Sequence, residues 1–188
     1  MASASGASNE TSVMQIEYLS LGDSVYEDIE KRVMRSYPNA CICYIEKVVH
    51  PSLEEAFIRR YAEIEGRTGK VEIKQLFHGS TEEGVYNIAN IGFQKKYNTT
   101  SAFGKGSYFA KNAKYSFKYM RTGSKGVSFM ILADVLVGKT MKGTKNLNAP
   151  PGIDTMVDYE KNPSIYVTPH DDGAYPRYII AFHKNAKV

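Results

Sequence analysis

The sequence predicts an α+β domain, an antiparallel-rich β-sheet core with flanking helices. Three observations carry this. Short β-branched or aromatic runs bounded by turn residues recur at 41–49, 71–77, 107–110, 127–138, 165–168 and 178–183. Helical spacing is concentrated in the first half of the chain. The regular strand–helix alternation of a doubly wound fold is missing. No Gly-x-Gly-x-x-Gly follows a strand and no complete Gly-x-x-x-x-Gly-Lys-Ser/Thr phosphate loop occurs, which excludes a Rossmann dehydrogenase and a P-loop kinase.

The elements follow in order. Residues 1–13 are small and polar and are expected to form a disordered tail ahead of one domain over 14–188. Asp23 or Ser24 caps a helix reaching Ser36, with Val25, Ile29, Val33 and Met34 at helical spacing. Pro38-Asn39 ends it, and 41–49 is a strand. Ser52 is the expected cap of a second helix, with Glu54 and Glu55 in its first turn and Arg59 and Arg60 later, closing near Gly66. The strand 71–77 delivers His78-Gly79-Ser80 at its end. A helix over 82–90 stops at Gly92. The stretch 94–106 reads as a loop with Gly104 and Gly106 as hinge points, and 112–120 as a helix. The run 127–138 suits a central strand. The segment 140–163, rich in Lys, Asn, Pro and Gly, reads mostly as loop.

A chain of 188 residues with 43% hydrophobic content supports one core and not two. The net charge of +4 reads as a mild excess spread along the chain, with Lys95, Lys96 and Lys105 on a solvated face. It suits a diphosphate ligand and permits nucleic acid without indicating it. Cys41 and Cys43 alternate onto one strand face, too close in sequence for an unstrained disulfide, and no third cysteine completes a zinc site. Two buried thiols in a reducing compartment are expected. The N-terminus lacks the basic and apolar parts of a signal peptide, and no apolar run spans a bilayer. A soluble monomer of the cytoplasm or nucleus, with no membrane partner and no metal, is the expectation.

The chemistry-bearing motifs are Leu-Phe-His-Gly-Ser at 76–80, Phe-Gly-Lys-Gly-Ser-Tyr-Phe-Ala at 103–110 and Tyr-Ser-Phe-Lys-Tyr at 115–119. Asn-Pro-Ser-Ile-Tyr-Val at 162–167 and Tyr-Pro-Arg-Tyr-Ile-Ile-Ala-Phe at 175–182 complete the set. Over residues 14–185 this resembles the catalytic domain of the poly(ADP-ribose) polymerase superfamily, the diphtheria-toxin-like ADP-ribosyltransferases. The resemblance implies their split β-sheet fold and NAD⁺ as substrate. It also implies that the Gly79 backbone pairs with the nicotinamide carboxamide, where a side chain would obstruct the approach. Ser116, eight residues after Tyr108, adds a hydroxyl contact. Tyr108 and Tyr119 sandwich the cationic ring, each face contributing ~0.5–2 kcal/mol, with Tyr115 the competitor for the second place. His78 meets a ribose hydroxyl, and Ser80 assists on the adenosine side.

Polymer-forming members carry glutamate at a third position, which falls on Ile165 here. Isoleucine has no charge and no proton to exchange. A triad of His78, Tyr108 and Ile165 resembles the mono-ADP-ribosylating branch, whose acceptor is a protein side chain. Asp158 and Glu160, just upstream, are read as solvated loop charges. The alternatives are an inactive or weak NAD- or ADP-ribose-binding module and transfer to nucleic-acid ends. The chain lacks the helical autoinhibitory domain of members activated by DNA damage, which disfavours a role triggered directly by DNA breaks.

Overall fold

The computed structural model describes residues 13–98, 101–123 and 125–183. Apart from Val13, the expected tail lies outside them. Nine strands form one sheet in the order β1-β2-β9-β5-β3-β4-β8-β7-β6. These are β1 Gln15–Tyr18, β2 Cys41–Val49, β3 Glu72–Ser80, β4 Ser107–Ala110, β5 Val127–Val137, β6 Thr140–Lys142, β7 Thr155–Val157, β8 Ile165–Thr168 and β9 Ala174–His183. Four helices accompany them: α1 Ser24–Ser36, α2 Pro51–Thr68, α3 Glu82–Ile91 and α4 Ala113–Ser116.

The strand β5 pairs with β3 over nine residues and with β9 on its other side. Its residues bury both faces. Phe129, Ile131, Ala133 and Val135 join Val85 and Ala89 of α3, whereas Met130 and Leu132 join Tyr26, Ile29 and Val33 of α1. A strand covered on both faces reads as an unbroken apolar run, which is why 127–138 was legible. All neighbouring strands are antiparallel except β6 and β7. The sheet is joined across its middle by one residue pair, Phe77 of β3 with Ala110 of β4. That joint divides it into a five-stranded and a four-stranded half.

Several expectations are corrected. The buried face of α1 is Tyr26, Ile29 and Val33, while Val25 and Met34 are exposed, because the bulkier Tyr26 turns inward. The second helix starts earlier than expected: His50 is its cap, accepting from the Leu53 N–H, and Pro51 fills the first helical position, where its missing N–H costs nothing. Ser52 therefore lies inside the helix. Gly66 is interior, and the helix ends at Gly69 in the left-handed conformation. The segment 140–163 contains β6 and β7, each too short to show alternation. The edge strand β1 has no counterpart in the sequence reading. Cys41 and Cys43 are exposed rather than buried, because β1 covers only Glu46–Val49 of β2 and stops short of them.

Candidate active site

The site forms where the two halves of the sheet meet. The last three residues of β3 are His78, Gly79 and Ser80, and they run on past the single pairing with β4. They belong to the strand itself, paired to Ile131, Met130 and Phe129 of β5, and not to a turn beyond it. On the side facing β4 that edge has no partner strand, so the backbone there is open to a ligand.

A cavity of about 540 Å³ opens at this edge. His78, Gly79, Ser80, Tyr108, Tyr115, Ser116 and Tyr119 all line it. Residues of β3 and of the later stretch 108–119 thus converge on one space. Ile165 does not line it. Its side chain is buried in a cluster with Tyr108, Ala110, Met156 and Val167.

His78 is held on two sides. Its Nδ1 lies 2.8 Å from the Tyr108 carbonyl oxygen, which only accepts, so Nδ1 carries the proton. The ring packs against Phe93 and Phe109 at centroid distances of 5.3 and 5.7 Å. Burial pushes its pKa below the ordinary histidine value, and the Tyr108 hydrogen bond only partly opposes this. The ring is therefore neutral near pH 7, and Nε2 is left with a lone pair.

Tyr108 is fixed through its hydroxyl, which donates to Gly104 O at 2.6 Å and accepts from Phe103 N at 2.9 Å. Burial raises its pKa. A phenol satisfied at its tip has a ring plane set by the protein rather than by a ligand. The hydroxyls of Tyr115 and Tyr119 lie 3.3 Å apart with rings tilted at 47°, so the two side chains are in contact. Tyr119 is the more exposed, at 41%, which places it at the mouth.

Gly79 is required by packing as well as by backbone access. A Cβ there would overlap the Ser116 carbonyl oxygen and sit 2.9 Å from the Met120 side chain. Its bare α-carbon lets α4 close onto β3 and brings Ser116 to the cavity. Gly104 and Gly106 are also close-approach positions and not simple hinges. A Cβ on Gly104, whose φ is +106°, would strike the Met156 side chain, and one on Gly106 would strike the Thr168 carbonyl. The Lys105 N–H donates to Leu147 O at 2.8 Å and the Asn98 side chain donates to Gly106 O at 2.6 Å, so the loop is tied at both ends.

Asp158 is no solvated loop charge. It is buried, and one carboxylate oxygen accepts from the N–H groups of Tyr159, Ser164 and Ile165 at 2.9, 3.0 and 3.1 Å. It closes the 158–165 loop and fixes the start of β8, where Ile165 sits. Glu160 is exposed, as read. The sequence reading passed over Phe93 and Phe109, the two rings that clamp His78. Phe109 is adjacent to a motif tyrosine and Phe93 follows the helix-stop Gly92, which is the signal that marked them.

A family model described as the poly(ADP-ribose) polymerase catalytic domain matches residues 24–158. The chain belongs to the poly(ADP-ribose) polymerase catalytic domain family. Domains of this family use NAD⁺ as substrate. Among curated relatives, the chain is similar to human protein mono-ADP-ribosyltransferase PARP14, at 30% identity over 86% of this chain and 10% of the relative. It is similar to human protein mono-ADP-ribosyltransferase PARP12, at 29% over 90% of this chain and 26% of the relative. Mouse protein mono-ADP-ribosyltransferase PARP11 is 31% identical over 74% of this chain and 51% of that protein. The chain thus spans about half the length of these relatives or less. Among the described residues, no group of three or more His, Cys, Asp or Glu side chains is placed to hold a metal ion, and no helix is long and apolar enough to cross a membrane.

Proposed function

We propose that this domain transfers a single ADP-ribose from NAD⁺ to a protein side chain and releases nicotinamide. The observation that carries this is the cavity in which the motif residues of β3 and of the later stretch 108–119 come together.

In this reading the nicotinamide carboxamide pairs with the Gly79 backbone and the Ser116 hydroxyl. Its cationic ring lies against Tyr108 and under Tyr119, and Ser80 contributes toward the adenosine. The neutral His78 accepts at Nε2 from a ribose hydroxyl, which fixes the sugar relative to the held ring. The bond between the ribose anomeric carbon and the pyridinium nitrogen breaks, and its electron pair leaves with nicotinamide as a neutral molecule. The acceptor atom then bonds to that carbon. A carboxylate acceptor is already deprotonated, so it needs no base at position 165. The domain contributes positioning and a dry, aromatic wall for developing charge.

Ile165 supports a single transfer. Extending a chain requires a sugar hydroxyl to be polarised by a carboxylate, and the side chain clustered with Tyr108 is apolar. The related proteins named above are mono-ADP-ribosyltransferases, which agrees with this reading.

Incubation with labelled NAD⁺ and a mixture of protein acceptors tests it. Discrete labelled bands without a ladder are expected. A long ladder contradicts the single transfer. No label, together with no calorimetric signal from a nicotinamide-mimicking inhibitor, contradicts the enzyme reading. Label on 5′-phosphorylated RNA with none on protein reassigns the acceptor.

A further inference from the structure

A second concavity of about 710 Å³ takes Lys95 and Lys96 from the same short segment that lends Gln94 and Tyr97 to the donor cavity. Its charged lining comes from separate parts of the fold: Arg67 near the end of α2, Lys95 and Lys96 after α3, and Lys105 before β4. Two carboxylates also reach it, Glu63 and Asp154. Both are already matched, Glu63 by Arg60 and Asp154 by Arg67. No salt bridge to a carboxylate is found for Lys95, Lys96 or Lys105 among the described residues; the Lys95 Nζ donates to the Pro169 carbonyl and Lys96 lies over the Tyr97 ring.

The wider charge pattern points the same way. Residues 84–133 hold eight Lys or Arg and not one Asp or Glu, in a chain whose totals are 24 and 20. The excess is therefore gathered in one block, contrary to the even spread read from the net charge. Three of those eight cationic side chains, Lys95, Lys96 and Lys105, line this concavity.

The chemistry of the free cations selects the ligand. Carboxylates are best met by the planar fork of a guanidinium. The Arg67 fork is occupied, by Asp154 and by the Gly152 carbonyl. What remains are three lysines, each a compact point charge with rotatable donors, which suits an anion with several charges on many oxygens. We propose that this concavity is a binding site for a polyphosphate-bearing ligand, distinct from the donor cavity.

The test is calorimetry on the full chain with the donor cavity saturated by an unreactive NAD⁺ analogue, so that the diphosphate position there is filled. Sodium tripolyphosphate is titrated in one arm and ATP in a second. Binding in both, weakened at least tenfold by the double variant K96E/K105E, is expected. Tighter binding of ATP assigns the ligand to nucleotides, and equal binding assigns it to free polyphosphate; both support the site. No heat in either arm, or equal binding by wild type and variant, overturns it. Both lysines are exposed, so the variant is expected to fold, and an unchanged affinity for the analogue confirms that it has. Because the readout is binding, it stands whether or not ADP-ribose transfer is observed.

Discussion

His78 shows how the residue scale sets a pH range. The Tyr108 carbonyl fixes its tautomer, and burial holds its pKa below the ordinary value. The unfolded chain therefore takes up a proton first on acidification. The contribution of this group to stability is full above the ordinary histidine value and is lost as pH falls from there through the folded value. Activity that needs a free Nε2 lone pair is expected to persist below the ordinary histidine value; a kcat/KM profile whose acid limb lies at or above that value contradicts the assignment. Gly79→Ala is expected to lower stability by ~1–3 kcal/mol, because the new methyl overlaps the Ser116 carbonyl and forces α4 outward. Thermal melting checks this, and an unchanged melting temperature speaks against the packing argument. At Asp158, replacement by Ala strands three N–H groups at the start of β8 and is expected to cost at least ~1–3 kcal/mol. Asp158→Asn retains an acceptor oxygen and is expected to melt closer to wild type than Asp158→Ala does. The role of this buried carboxylate was not legible in the sequence, since Asp158 and Glu160 look alike in a polar loop and only the fold buries one of them.

At the scale of elements, the strands that carry the site were legible and the ones that frame it were not. Both β4 and β8 are short but bear motif residues, so they were placed at 107–110 and 165–168, as found. By contrast β1, β6 and β7 have three or four residues each and owe their strand character to neighbours, which a linear reading does not see. The start of α2 was misplaced because His50, an uncommon cap, precedes a proline and a serine that look like one. His78, Gly79, Ser80, Tyr108, Tyr115, Ser116 and Tyr119, named from their motifs, line one cavity, whereas Ile165, named by position alone, does not line it. Its burial yields a prediction at this scale. Ile165→Glu puts an unpaired carboxylate into the apolar cluster around Tyr108 and Met156. It is expected to cost ~3 kcal/mol or more, a fall in melting temperature of about 2–4 °C per kcal/mol, without creating a polymer ladder. A stable variant that forms long chains contradicts the view that the pocket wall excludes this position from the reaction.

The whole molecule is a sheet in two halves joined at Phe77 and Ala110, with the cavity at the joint. His78 and Gly79 belong to one half and Tyr108 to the other, so a dinucleotide seated as proposed bridges them. A ligand at one hundred times its Kd stabilises a folded protein by ~2.7 kcal/mol, and the melting temperature is expected to rise accordingly with the unreactive NAD⁺ analogue. Every step of the account depends on where the nicotinamide goes. The most direct measurement is a crystal structure with that analogue bound. The account predicts the carboxamide on the Gly79 backbone and the Ser116 hydroxyl, with the ring between Tyr108 and Tyr119. A ring seated elsewhere, with those four residues untouched, contradicts it.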